Sequence, residues 1–380
     1  MPESLRVACI GHALKESLTP RQCLHALVAG VRVAGFQPLA ELCISDGGDG
    51  FLEAAVSARS SLQMRKAIVR APHGVTITAS YAIDPAEHQA VIESAEAVGM
   101  RRVPPAARQI LELGTGGLGE LLVQAWQAGA REILVGLGGS ATCDGGLGML
   151  GVLHDVFVAD RPLSDVRWLV ARDLADPPDF AWSALTGALR KAGVNFRLAS
   201  DVESPLLGPT GAAKHFAPQK GATPVDVEWL EKHLSGWADR LAAALGRDLR
   251  DCAGAGAAGG LGLAFLSLGA ELSAGALLFL RMPIFRRVFE TADLIVTAEG
   301  RFDATSFGGK APWRVAQLAR SHGKAAAIIC ATADKDARER AYREGVAIVE
   351  FAVGVTFQES CRSAAELITH ALANYLRLRP

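Results

Sequence analysis

The sequence predicts an α/β protein of two domains, a parallel-sheet domain interrupted by a larger α/β insertion. Three observations carry this reading. Short β-rich runs alternate with helical periodicity at both ends of the chain. After about residue 62 that rhythm gives way to adjacent strand-like runs with no helix between them, and simple βα units return near residue 288. The 380 residues, half of them apolar, suffice for two cores. Because the ends of a domain commonly lie together, residues 1–62 and 288–380 read as one discontinuous domain, and 63–287 as the insertion.

The elements follow in order. "RVACI" is a strand, and "LTPRQCLHALVAGVRVAG" a helix with Thr19 as N-cap, Pro20 at its first position and Gly35 closing its end. "PLAELCIS" is a second strand, which runs into "DGGDG" and the helix "FLEAAVSAR". A carboxylate and three glycines thus occupy a strand-to-helix turn, where open α/β sheets present ligand-binding groups. "QMRKAIVRAP", "GVTITASYAID" and "QAVIESA" are the adjacent strands of the insertion. The helix "GLGELLVQAWQAGA", the strands "REILVGLGG" and "VNFRLASD", and a helix capped by Thr223 with Pro224 behind it continue that domain. "DLIVTAEG", "KAAAIICA" and "VAIVEFAV" are the closing strands, with "PWRVAQLARSHG" and "ESCRSAAELITHALANYLRL" as helices.

Composition excludes several function classes. Lys and Arg number 39 against 40 Asp and Glu, with no long basic block, so neither nucleic acid nor an anionic membrane is called for and a small-molecule partner is expected. Seven scattered cysteines without a C-x-x-C pair suit free thiols in a reducing compartment and argue against zinc. Glu3 and Arg6 stand where a signal peptide needs an apolar core, so the expected location is the cytoplasm. The uncharged run 253–270 is rich in glycine and poor in large apolar residues, and reads as a packed helix rather than a membrane span.

Glycine clusters after strands often serve only tight turns and close packing. Here "SDGGDG", "GGSATCDGGLG" and "TAEGRFDATSFGGK" each carry their own charged residues. Phosphate fits such turns, because successive amide hydrogens hold an anion with no side chain in the way. The nucleotide-binding pattern G-x-x-x-x-G-K-[ST] is absent: Lys310 is followed by Ala311, and position 304 is Ala. "GLGGSA" at 136–141 matches a dinucleotide fingerprint after a strand, although no clean second strand bearing a ribose-binding acid follows about twenty residues on.

Six blocks together, "CISDGGDG", "GGSATCDGGLGM", "DVESPLLGPTGAA", "FAPQKGA", "GAGAAGGLG" and "AEGRFD" with "GGKAP" behind, resemble the bacterial glycerate kinase family over nearly the whole chain. The resemblance implies a flavodoxin-like domain with a second α/β domain inserted, and ATP-dependent phosphorylation of D-glycerate at its 2-hydroxyl. Phosphoryl transfer needs in-line placement, positive charge on the phosphoryl oxygens and a carboxylate for metal or proton. On that basis Asp46 and Asp201 are candidate Mg²⁺ ligands or general bases, and Lys310 a catalytic cation. Gly138, Gly139, Ser140 and Thr142, with Gly47, Gly48 and Glu299, are assigned to the nucleotide. Lys15, His12, Arg301, Asp303 and Lys220 are assigned to the hydroxy acid, Arg being suited to a bidentate grip on its carboxylate.

The chain departs from the family pattern in places. His12 stands in "HALKESL" where the family has an acid, while Lys15 is kept. Cys143 and Ser204 each replace Asn, Leu118 replaces Thr, and Thr305 with Ser306 replace Gln-Thr. Each changes a group able to hydrogen-bond in a fixed orientation, on which site discrimination depends. His12 is more often a packed or solvated residue than a catalyst, and Cys143 reads as a small buried one. The leading expectation is a kinase of glycerate or a close hydroxy acid, with a homodimer as its assembly. The alternatives are a family member that has lost catalysis and binds metabolites, or an NAD(P)-dependent oxidoreductase using residues 136–141.

Overall fold

A computed structural model describes residues 5–379, so Glu3 lies outside the described residues. Two compact units emerge: Met1–Ser60 with Ala274–Pro380, and Ser61–Ser273.

The first unit opens with β1 (Val7–Gly11), buried along its whole length. Helix α1 (Pro20–Val33) starts on a capping box, in which Thr19 Oγ1 accepts from the Gln22 amide and Gln22 Oε1 from the Thr19 amide. The helix passes so close to the end of β1 that a Cβ on Gly11 would sit 2.4 Å from the Pro20 carbonyl oxygen. Strand β2 (Pro38–Cys43) and helix α2 (Phe51–Ala58) complete the segment.

The second unit starts with β3 (Gln63–Arg70), β4 (Thr76–Asp84) and β5 (Gln89–Glu93), joined antiparallel. Adjacent strands without a crossover helix can pair only in that way. Next come α3 (Ala95–Val98), α4 (Gly116–Gln127), β6 (Glu132–Gly136), α5 (Leu147–Phe157), α6 (Trp182–Lys191), β7 (Asn195–Ala199), α7 (Pro224–Leu245), α8 (Ala257–Ser267) and β8 (Glu271–Ser273). The strands lie in the order β3-β4-β5-β6-β7-β8, parallel from β5 onward. The register Glu93↔Gly136↔Ala199 delivers the loops after β5, β6 and β7 to one end of the sheet. The glycine run 253–270 is helical only from Ala257, and residues 258–260 leave helical φ/ψ. Among the described residues no helix is long and apolar enough to cross a membrane.

The chain returns to the first unit at Ala274, ahead of the residue 288 expected from sequence. The intervening α9 (Gly275–Leu280) and α10 (Pro283–Thr291) contain no strand to announce the return. They join through aromatic packing instead, Phe279 standing edge-on to Phe51 with centroids 5.7 Å apart. Then follow β9 (Leu294–Phe302), α11 (Ala311–Ser321), β10 (Ala325–Ala333), α12 (Lys335–Arg343), β11 (Val346–Glu350) and α13 (Phe357–Leu378). The five strands are all parallel, in the order β2-β1-β9-β10-β11. Numbered within this unit the order is 2-1-3-4-5, the flavodoxin-like arrangement, which reverses direction between β1 and β9. Ligands of open α/β sheets bind beyond the carboxyl ends of the strands at such a reversal.

Candidate active site

In the first unit the register Ile10↔Thr297 sets His12, just past the end of β1, level with Glu299, which lies three residues before the end of β9. Asp46 follows β2, and its Oδ2 lies 3.8 Å from His12 Nε2. The turn that presents Asp46 is held locally: Asp46 Oδ1 accepts from the Gly48 amide at 3.0 Å, and Ser45 Oγ from the Gly47 amide at 3.3 Å. Helix α9 presses on this turn so tightly that a Cβ on Gly275 would fall 2.1 Å from the Asp46 carbonyl carbon. Gly47 and Gly48 therefore shape the turn with amides already engaged. His12 Nδ1 and Thr297 Oγ1 are buried without hydrogen-bond partners among the described residues.

Glu299, 6% exposed, accepts through Oε1 from Ser306 Oγ at 3.0 Å and from Lys310 Nζ at 2.9 Å, while its Oε2 is buried without a partner among the described residues. Asp303 caps the short turn at Ala304–Gly308. Hydrogen bonding from Thr305 is the main cause that holds the Asp303 carboxyl below its ordinary value, with the Lys310 and Arg301 charges adding to it. Lys310 Nζ also lies 3.9 Å from Asp303, and the exposed Arg301 reaches Asp334 at 3.0 Å and Asp303 at 3.6 Å. The structure thus gathers Glu299, Asp303, Arg301 and Lys310 into one charged chain. Lys15 stands exposed in a turn closed by the Leu14 and Leu18 backbones.

In the second unit Gly138, Gly139 and Ser140 follow β6, with Gly139 in the left-handed region. Among the described residues no group accepts from the amides of Gly138 or Gly139. Lys220 Nζ donates to Ser140 Oγ at 2.9 Å and to the Thr142 carbonyl at 2.8 Å. That lysine, assigned from sequence to the substrate, is only 5% exposed, and burial lowers its pKa. Thr142 Oγ1 is buried without a partner among the described residues. Asp201 follows β7.

Other glycines of this unit serve packing. A Cβ on Gly259 would lie 2.0 Å from the Thr142 carbonyl oxygen, and the Gly145 amide donates to the Gly259 carbonyl. Sequence reasoning did not assign Asp144, whose buried carboxylate accepts from the Thr115 amide and hydroxyl and from the Gly146 and Gly148 amides. Its position between glycine pairs was the available signal. Burial raises the Asp144 pKa, against the pull of those hydrogen bonds. The dinucleotide reading of residues 136–141 loses its structural context: α5 begins only at Leu147, whereas that fingerprint opens a helix inside the glycine turn.

The sequence profile described as the glycerate kinase family matches residues 8–379. The chain belongs to the glycerate kinase family. Among its relatives, a glycerate kinase of Bacillus subtilis (strain 168) is 34% identical over 95% of this chain and 94% of its own. A glycerate 2-kinase of Escherichia coli (strain K12) is 34% identical over 84% of this chain and 83% of its own. A crystal structure from Salmonella typhimurium LT2 assigned as glycerate kinase 2 superposes with a TM-score of 0.76 at 30% identity, covering 98% of both chains. As a member of this family the chain is a phosphotransferase with an alcohol acceptor, and a kinase of this family implies ATP as the phosphate donor. Its departures from the family pattern fall in different settings. Ser306 bonds Glu299, and Thr305 bonds Asp303. Leu118 is fully buried in α4, and burial pushes the Cys143 thiol up to about 12, so it is no nucleophile near neutral pH.

Proposed function

We propose that this member of the glycerate kinase family phosphorylates D-glycerate, or a close small hydroxy acid, at the 2-hydroxyl with ATP. The observation that carries the reading is the loop after β6, where two uncommitted glycine amides precede a serine hydroxyl backed by a buried ammonium. Such a loop supplies hydrogen-bond donors for phosphoryl oxygens and needs no reorganisation to do so.

Gly138, Gly139, Ser140 and Thr142 hold the phosphate tail in this reading. Asp46 and Asp201 are each assigned to metal or proton chemistry. Among the described residues no three His, Cys, Asp or Glu side chains cluster as a metal cage. Mg²⁺ keeps several waters and takes one or two carboxylates plus substrate phosphates, the role proposed for these two aspartates. When bound, the ion would neutralise phosphoryl charge. Asp46, partly exposed and stiffly held, takes the proton released as the acceptor oxygen attacks the γ-phosphorus and ADP departs. Lys310 compensates negative charge from its place on Glu299, and Gly47 and Gly48 keep Asp46 aimed. Lys15, His12, Arg301 and Asp303 are assigned to the acid's carboxylate and hydroxyls. All seven cysteines are free thiols, which supports a cytoplasmic location, and a homodimer is the proposed assembly.

A coupled ADP-release assay across a panel of hydroxy acids tests the reading, with phosphorus NMR of the product locating the modified hydroxyl. Release with glycerate to give the 2-phosphate is expected. Saturable binding of ATP and glycerate without ADP release would overturn it.

A further inference from the structure

A lysine ammonium only donates hydrogen bonds. Ser140 Oγ, 2.9 Å from Lys220 Nζ, must therefore spend a lone pair on that contact, which directs its own hydrogen elsewhere. The second ammonium hydrogen goes to the Thr142 carbonyl at 2.8 Å, so one cation grips both a hydroxyl and a backbone oxygen of the same short loop. No carboxylate lies within ion-pair range of Lys220 among the described residues. Asp144, the carboxylate whose charge acts on it, is occupied by four donors of its own. A buried charge without a directly bonded counter-ion is costly. The fold keeps one here although a neutral hydrogen-bonding group would also tie the two loop atoms together.

We propose that Lys220 is a positioning residue: from beneath the loop it fixes the Ser140 hydroxyl as a donor toward a bound phosphate and leaves the glycine amides facing the same anion. The lysine does not touch the ligand. The inference rests on the reading of the 138–142 loop as the phosphate site.

The two ideas fail differently. In amide NMR of the full chain titrated with MgATP, the Gly138 and Gly139 signals shift if the loop binds phosphate; unmoved signals would overturn the loop assignment and this inference with it. The inference itself is tested on Ser140→Ala, Lys220→Met and their combination. Each single change is expected to raise the ATP KM about tenfold, in the range for a lost hydrogen bond to a charged group. The double variant should be no worse than the weaker single one, because the lysine acts through the serine. Ser140→Thr, which keeps the hydroxyl, should bind ATP within about threefold of the parent, while glycerate KM stays unchanged throughout. Shifted glycine amides combined with additive losses would overturn the positioning role alone. Should Lys220→Met fail to fold, Ser140→Ala still decides, since an ATP KM equal to the parent's would overturn it.

Discussion

Lys310 Nζ lies 2.9 Å from Glu299 Oε1, and the two residues differ sharply in exposure: the lysine side chain is 40% exposed, the carboxylate 8%. The cation is therefore partly in water while the anion depends on it. Removing each partner should have different consequences. Lys310→Met strands a buried carboxylate and is expected to destabilise the fold by about 1–2 kcal/mol, below the fully buried case because of the lysine's exposure. Adding Glu299→Gln should restore most of that stability. Turnover should stay about a hundredfold down in both, because the cation proposed to act on the phosphoryl oxygens is absent from each. Urea unfolding and ADP release measure the two quantities; recovery of turnover in the double variant would show that Lys310 serves structure only.

Asp46 offers a cleaner separation. Asp46→Asn keeps an oxygen for the Gly48 amide, so the turn and the melting temperature should hold within about 2 °C. Loss of the proposed proton acceptor should lower kcat by at least about a hundredfold. Turnover equal to the parent's would remove Asp46 from the chemistry.

The sheet rhythm was readable because buried parallel strands and capped helices advertise themselves, as at Thr19 and Thr223, both of which form capping boxes. The return at Ala274 was not, since aromatic docking of α9 leaves no periodic trace. Within the site, the charged partners of Lys310 could be guessed by type. Their hierarchy could not, because Ser306 and the burial of Glu299 are set by the turn between β9 and α11. Lys220 shows the limit most clearly: a lysine in a glycine-rich block suggested contact with the hydroxy acid, and only the packing of residues 212–220 brings its Nζ to the Ser140 hydroxyl and the Thr142 carbonyl. Residue type announced the chemistry there, and long-range packing decided which atom it serves.

The strands β1 and β9 are tied at their starts by Arg6 and Asp293, with Arg6 Nη2 2.7 Å from Asp293 Oδ1. Hydrogen bonds from Arg6 hold the Asp293 carboxyl down at about 2. A carboxyl depressed in the folded state stabilises above its unfolded pKa of about 3.9 and loses that contribution as pH falls through the folded value. Asp293→Asn should therefore cost less than about 1 kcal/mol at pH 7, both partners being more than a third exposed. The gap between parent and variant should close as the pH is lowered from about 4 to about 2. Urea midpoints across that range check it, and a gap that widens in acid would contradict the assignment.

Two glycines in the second unit should respond to alanine in opposite directions. Gly236 is exposed in the middle of α7, with no heavy atom within 4 Å of where its Cβ would stand. Gly236→Ala restricts the unfolded chain and should add about 0.5–1 kcal/mol of stability. Gly259 has φ +73, and a Cβ there would stand 2.0 Å from the Thr142 carbonyl oxygen, a backbone atom that cannot rotate aside. Left-handed strain and the forced displacement act together, so Gly259→Ala should cost more than about 2 kcal/mol. The displaced carbonyl is the one that Lys220 holds, so this variant should also raise the ATP KM while Gly236→Ala leaves it unchanged. A Gly259→Ala protein with the parent's stability and ATP KM would mean that the two glycine loops are not locked together as the backbone contacts indicate.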